Sequence, residues 1–214
     1  MIGDQITYLP EMKPLAMAIV KELDDLLQSG SKFCIAIGGE SGCGKSTLAH
    51  ALQMEIDALF KLKGYIFQMD DYFKLPPKDN HEAREQNIEH VGSHEVNLTL
   101  LNAHISAFKK GKPVIEKPLV DYHKNTIGLE VVDFANVRYC IAEGTYTCLM
   151  SEVDCKLFME VSYKDTEVFR RKRNRDSMSS FNDKVLAIEH EIIKTHNALA
   201  DIIIDKNLKI RTKT

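Results

Sequence analysis

The sequence predicts an α/β protein whose mostly parallel sheet is covered by helices on both faces, and three observations carry that prediction. Short apolar runs recur within KFCIAIGG, GYIFQM, VRYCIA, KLFMEV and DIII, and a strand reads as a continuous apolar run when both of its faces are buried. Longer segments whose apolar residues return at helical intervals separate them, so strand and helix alternate as they do around a parallel sheet. Near the start, a strand, a glycine turn and a helix fall within about thirty residues, the size of an opening βαβ unit.

Each element follows from its local pattern. Leu15, Ile19, Leu23, Leu26 and Leu27 share helical spacing up to Gln28, and Ser29-Gly30 stops the run, so residues 1–30 form an N-terminal helical segment. The first strand is KFCIAIGG, and a helix begins at Lys45 and runs through STLAHALQMEIDALF. A second strand, Gly64 to Met69, stops at Asp70-Asp71. Residues 76–93, with the stretch PPKDNHEAREQN, read as a polar, mobile connection outside the core. Glu95 to Lys110 is a helix ended by Gly111 and Pro113, and residues 114–132 form a hairpin around DYHKNTIG. Val137 to Ala142 is a strand ending at Glu143-Gly144, and Lys156 to Val161 is another. A helix over residues 185–199 and a short strand over 201–204 close the reading. No repeat or linker divides residues 1–214, so one domain is expected, with a small lid at about 165–180.

Composition excludes several classes. Apolar and charged shares of 44% and 28% rule out a disordered or fibrous chain. A net charge of −3 supplies no broad basic field for nucleic acid or anionic lipid, so any anion site must be local. The opening MIGDQITYLPEMKP is acidic and lacks the apolar centre of a signal peptide, and no window approaches a membrane span. A cytoplasmic protein without nucleic-acid or membrane partners is expected. Five cysteines, with no C-x-x-C pair, read as reduced structural thiols.

The strongest chemical signal is Gly39-Glu40-Ser41-Gly42-Cys43-Gly44-Lys45-Ser46, followed by Thr47, which fits G-x-x-x-x-G-K-[ST]. Its glycines let the loop curl so that successive N–H groups point at phosphate oxygens, and the following helix presents its positive end. Lys45 is placed to reach the β- and γ-phosphates, Ser46 to ligate Mg²⁺. The expected fold is therefore a three-layer P-loop NTPase fold, and the expected cofactors are ATP and Mg²⁺. Cys43 contributes its backbone, although a helix N-terminus can lower a thiol pKa.

The loop is shared by GTPases, ATPases and kinases, so the acceptor side must decide the reaction. Ligands of open parallel sheets sit beyond the carboxyl ends of the strands. Asp70 follows GYIFQM and Glu143 follows RYCIA. Asp70 is suited to orient or deprotonate an attacking hydroxyl and to complete the Mg²⁺ shell; Glu143 suits metal, directly or through water. The bland alternative for both is an acidic residue capping a turn. Asp71 reads as a solvated neighbour. The run Arg170-Arg171-Lys172-Arg173-Asn174-Arg175 would ordinarily be a solvated face, but in a chain with a phosphate loop its cations suit a helical lid, with Arg171 and Arg175 one turn apart. Most histidines, including His81, His90, His94, His104, His190 and His196, read as surface or packing residues.

Taken together, GGESGCGKST, MDDYF, NIEHVGSHEV, GKPVIEKPLVDYH, IAEGTY, KLFMEVSYKDTEVFRRKRNRD and ADIII resemble the uridine kinase and phosphoribulokinase family, and uridine kinases most. The resemblance implies Asp70 as catalytic carboxylate, with Lys45, Arg171 and Arg175 stabilising the transferred phosphoryl group. It implies Ser46, Asp70 and Glu143 as Mg²⁺ ligands, and Glu89 where the family holds ribose hydroxyls. Phe73 stands where the family has Tyr, and Ile88 where an aromatic is usual. Val120 and Asn125 replace the base-reading Tyr and His, with Tyr122 and His123 as neighbours able to substitute. The implied reaction is phosphoryl transfer from ATP to a small-molecule alcohol, with a nucleoside favoured and a sugar, sugar phosphate or pantothenate as alternatives. A homo-oligomer is compatible with it. A regulatory P-loop NTPase with a protein partner is the rival class; no N-K-x-D guanine-reading motif accompanies the loop.

Overall fold

A computed structural model describes residues 1–3, 9–167 and 180–213. Along the chain come α1 (Lys13–Glu22), α2 (Asp24–Gln28), β1 (Phe33–Gly39), α3 (Lys45–Phe60) and β2 (Gly64–Gln68). Next are α4 (Pro77–Gln86), α5 (Leu98–Lys109) and the strands β3 (Val114–Asp121) and β4 (Thr126–Asp133). Then follow β5 (Tyr139–Glu143), β6 (Cys155–Glu160), α6 (Ser180–Ile193), β7 (Ile202–Asp205) and β8 (Ile210–Thr212).

Six strands form one sheet in the order β2-β5-β1-β6-β7-β8, and β3 pairs with β4 in a separate hairpin. Neighbours from β2 to β7 are parallel; β8 alone runs antiparallel, on the edge. The predicted α/β class with a mostly parallel sheet is therefore the observed one. Strand β1 is buried along its whole length. Phe33, Ile35 and Ile37 face a core that contains Leu48, Leu52 and Ile56 of α3 and Leu15 and Ile19 of α1. Cys34 enters the core on the opposite side with Leu101, Ile105 and Phe108 of α5. That two-sided burial is why the strand reads as an unbroken apolar run. Asn97 caps α5, its side chain accepting from the Leu100 amide at 3.0 Å, a contact worth about 1 kcal/mol.

Three sequence expectations change. The N-terminal helix is broken into α1 and α2 at Leu23, whose φ and ψ of −95° and 7° leave helical geometry. The 76–93 segment is α4 followed by two 3-10 turns, Ile88–His90 and Ser93–Glu95. Helix α4 has almost no apolar stripe, so periodicity could not reveal it; polar side chains fix it instead. Asn80 and Arg84 bond to the fully buried Glu95, and the Lys78 amide donates to Asn125 Oδ1 at 2.7 Å in the hairpin turn. Strand β8, half polar and three residues long, had no readable signal. Among the described residues no helix is long and apolar enough to cross a membrane.

Candidate active site

The register places the predicted site at one end of the sheet. Glu143 lies opposite Ile37 of β1 and Gln68 of β2. Both neighbours lead directly into site segments: β1 into the glycine loop, and β2 into the 3-10 turn Met69–Tyr72 that carries Asp70. Gly144 makes this close approach possible. Its φ of 155° disfavours any side chain, and a Cβ there would stand 2.3 Å from Met69 Cβ. The ends of β5 and β2 are thus locked together, with Glu143 and Asp70 flanking the contact.

The loop has the conformation that its glycines permit. Gly39, Gly42 and Gly44 have φ of 147°, 77° and 97°. At Gly39 a Cβ would meet Met159 O and Cys43 Sγ, each at 2.9 Å. Lys45 and Ser46 open α3, whose helix dipole and unpaired N–H groups favour an anion at this end. Lys45 folds back so that Nζ donates to the Glu40 carbonyl at 2.8 Å. Burial raises the Cys43 thiol pKa against the opposing pull of Lys45, the direction that suits a residue contributing its backbone rather than its thiol.

Glu40 is a site residue that sequence reasoning placed only as a loop member. It is 6% exposed. One carboxylate oxygen accepts from the Tyr163 amide and the other meets His190 Nδ1, both at 2.7 Å. Beside it, Thr166 Oγ1 donates to the Ser41 carbonyl at 3.1 Å. The loop is thereby tied to the segment after β6 and to α6, and His190, expected as a surface or packing histidine, is half-buried and pairs with the loop. No local signal could have shown this, because the motif treats position 40 as free.

A second unanticipated cluster lies across α4, the Ser93–Glu95 turn and α6. Arg84 grips Glu95 through two nitrogens and bonds Glu189 Oε1 at 3.0 Å. Burial raises the Glu189 pKa, Arg84 pulls it down, and the Glu95 charge pushes it back up. Adjacent residues of α6 therefore reach opposite sides: Glu189 to α4, His190 to the phosphate loop.

The remaining expectations divide. Asp71 is not solvated: it is 1% exposed, pairs with Lys117 Nζ at 2.7 Å, and accepts from the Val120 amide at 3.0 Å. It holds the hairpin against the Asp70 turn. Phe73 is half-buried and bridges Val96, while Glu89 is exposed in its 3-10 turn. Tyr122 is half-buried and His123 exposed at the hairpin tip, where Asp121 accepts from the His123 and Lys124 amides. Asn125 binds Lys78 and Asp79 at the start of α4. Arg171 and Arg175 lie outside the described residues.

Oxygen donors of the kind that a hard cation takes stand at this end of the sheet: Ser46 in the first turn of α3 and the buried Glu143 at the end of β5. Together with the loop's positive-φ glycines, they fit Mg²⁺ and a nucleotide polyphosphate.

Residues 34–179 match the model of the phosphoribulokinase / uridine kinase family. Comparison with curated proteins gives no match. Among solved structures, one titled a possible uridine kinase from Bacillus stearothermophilus aligns with TM-score 0.63 at 16% identity, over 90% of this chain and 98% of that one. Phosphoribulokinase from Rhodobacter spheroides gives 0.64 at 14% identity, over 82% and 70%. D-glycerate 3-kinase from Cryptococcus neoformans gives 0.64 at 10% identity, over 96% and 100%. At such identities these likenesses concern the fold.

Proposed function

The chain belongs to the phosphoribulokinase / uridine kinase family, and from that premise we propose that it is an ATP-dependent kinase, one catalytic unit acting in the cytoplasm on a hydroxyl of a small molecule. The favoured acceptor is the 5′-hydroxyl of a pyrimidine nucleoside, by the sequence resemblance. Other hydroxyl acceptors, including sugars and sugar phosphates, remain within the class. The observation that carries the reading is the convergence of the glycine loop, Asp70 and Glu143 at one end of the parallel sheet.

The chemistry assigned to the chain is in-line transfer. Loop amides and Lys45 hold the polyphosphate, so Lys45 Nζ must exchange the Glu40 carbonyl for phosphate oxygen. Asp70 takes the proton from the acceptor hydroxyl as its oxygen bonds to the γ-phosphorus, and the bond to the ADP oxygen breaks. Ser46, Asp70 and Glu143 would hold Mg²⁺, which when bound neutralises phosphate charge. Arg171 and Arg175 are assigned the charge on the moving phosphoryl group. Glu89, Phe73, Tyr122 and His123 are assigned to the acceptor side.

Coupled ADP release, measured with and without a panel of nucleosides and sugars, tests the class. A kinase requires its acceptor; a regulatory NTPase releases ADP equally without one. Asp70→Asn should abolish transfer while leaving ATP binding nearly intact, and near wild-type turnover in that variant would remove Asp70 as the base.

A further inference from the structure

Two buried side-chain polar atoms have no hydrogen-bond partner among the described residues: Tyr146 Oη and His196 Nδ1. Their rings are neighbours, with centroids 6.2 Å apart in an edge-on arrangement. Buried polar groups are almost always satisfied within the fold, so an adjacent orphaned pair calls for a ligand. Tyr146 stands three positions after Glu143, and its amide donates to the sulfur of Met69, the residue before Asp70, at 3.3 Å. The charges acting on its hydroxyl are those of Glu189, Glu95 and Arg84.

The Arg84 guanidinium is committed to two carboxylates, Glu95 and Glu189. The cluster therefore carries one positive and two negative charges. Glu189 spends only Oε1 on Arg84 and is partly exposed, its side chain 13% accessible. What the cluster offers a ligand is a carboxylate acceptor, a phenol and an imidazole nitrogen, with no unpaired cation among its described residues. An anionic group would meet repulsion there; hydroxyls would find partners.

We infer that Glu189 and Tyr146, beside His196, extend the acceptor side beyond Glu89, Phe73, Tyr122 and His123 and select a neutral polyhydroxy compound over a phosphorylated or carboxylic acceptor. This rests on the kinase reading above.

The test is coupled ADP release with neutral acceptors (uridine, cytidine, ribose, fructose) and with anionic ones (ribulose phosphate, glycerate, pantothenate), on the wild type and on Tyr146→Phe and Glu189→Gln. The expected result is turnover with a neutral acceptor, and an acceptor KM raised about tenfold or more in each folded variant with the ATP KM unmoved. Tyr146→Phe should also melt no lower than wild type, because it removes a hydroxyl that the unliganded fold leaves unpaired; this variant keeps the test open should Glu189→Gln fail to fold. Turnover with anionic acceptors alone would overturn the subsite and leave the kinase reading standing. An unchanged acceptor KM in Tyr146→Phe would overturn it too. No acceptor-dependent release with any compound would instead sink the kinase reading itself.

Discussion

Glu40 and His190 are in contact at 2.7 Å although 150 positions separate them. The second oxygen of the same carboxylate accepts from the Tyr163 amide, so Glu40→Ala strands two partners at once. The expected cost is about 1–3 kcal/mol of unfolding free energy, because two hydrogen bonds to a buried carboxylate are lost together. Nucleotide binding should weaken as well, since the loop loses its anchor to α6. Urea denaturation and ATP titration of Glu40→Ala, His190→Ala and the double variant measure both effects. If the two single losses simply add, the contact carries no coupling energy.

Gly144 separates the strand from the chemistry. Placing a methyl group 2.3 Å from Met69 Cβ, at a φ of 155°, forces apart the ends of β5 and β2. Gly144→Ala is expected to cost more than about 1 kcal/mol in stability and to lower kcat far more than it raises the ATP KM, because Glu143 and Asp70 move relative to each other. A variant with wild-type kcat would show that their spacing is not set here.

Lys117 and Asp71, each 2% exposed at the side chain, form a buried pair 2.7 Å apart, and Glu130 lies 3.1 Å from the same ammonium. Removing Lys117 leaves the buried Asp71 carboxylate with the Met1 ammonium at 3.1 Å as its remaining cation, so Lys117→Met should destabilise by less than the roughly 3–5 kcal/mol of a fully unpaired buried charge. Adding Asp71→Asn should recover a large part of that loss. Chemical denaturation of the two variants reads it directly, and no recovery would mean that Lys117 acts through packing rather than charge.

These cases mark what could be read before the fold was known. The loop from Gly39 to Ser46 and the strand before it were legible because their chemistry is local: glycine φ angles, a fixed lysine spacing, an unbroken apolar run. Asp71 was not, because its neighbour Asp70 looks identical in sequence and distant partners, among them Lys117 46 positions away and the Val120 amide, distinguish a buried acid from a solvated one. Glu40 was hidden in a motif position that tolerates any residue. Helix α4 was invisible to periodicity because Glu95 and Asn125 hold it through polar atoms. In each failure the deciding partner lay far along the chain.

All five cysteines are free and buried. Burial pushes Cys148 and Cys155 up to about 12 and raises Cys34, Cys43 and Cys140 as well. Thiolate is therefore scarce at neutral pH, and the folded protein should react with a disulfide reagent such as Ellman's only at the rate of unfolding. Denaturant should release five equivalents. A fast stoichiometric thiol in the folded protein would contradict this, and Cys43 would be the first to examine.

Acid should weaken the fold through two histidines. Burial lowers the pKa of His104, which pairs with Tyr72 Oη at 2.9 Å, and that of His196, below the ordinary 6.5. The charges of Lys112 and Lys117 push His104 the same way. Between the folded and unfolded values the unfolded chain binds more protons, so stability rises with pH across that window. The contribution is intact above about pH 7 and is lost as pH falls through 6.5 toward the lowered values. Glu189 acts in the opposite sense, since burial raises its pKa and protonation relieves it on the acid side. Melting temperature should therefore be highest between about pH 7 and 8, fall below that through the histidines, and fall above it as the thiols of the unfolded chain ionise while the buried ones, raised in pKa, stay protonated. The acid-side fall should be shallower in His196→Gln, which removes a ring whose Nδ1 has no hydrogen-bond partner among the described residues. An unchanged acid slope in that variant would show that His196 does not titrate with unfolding.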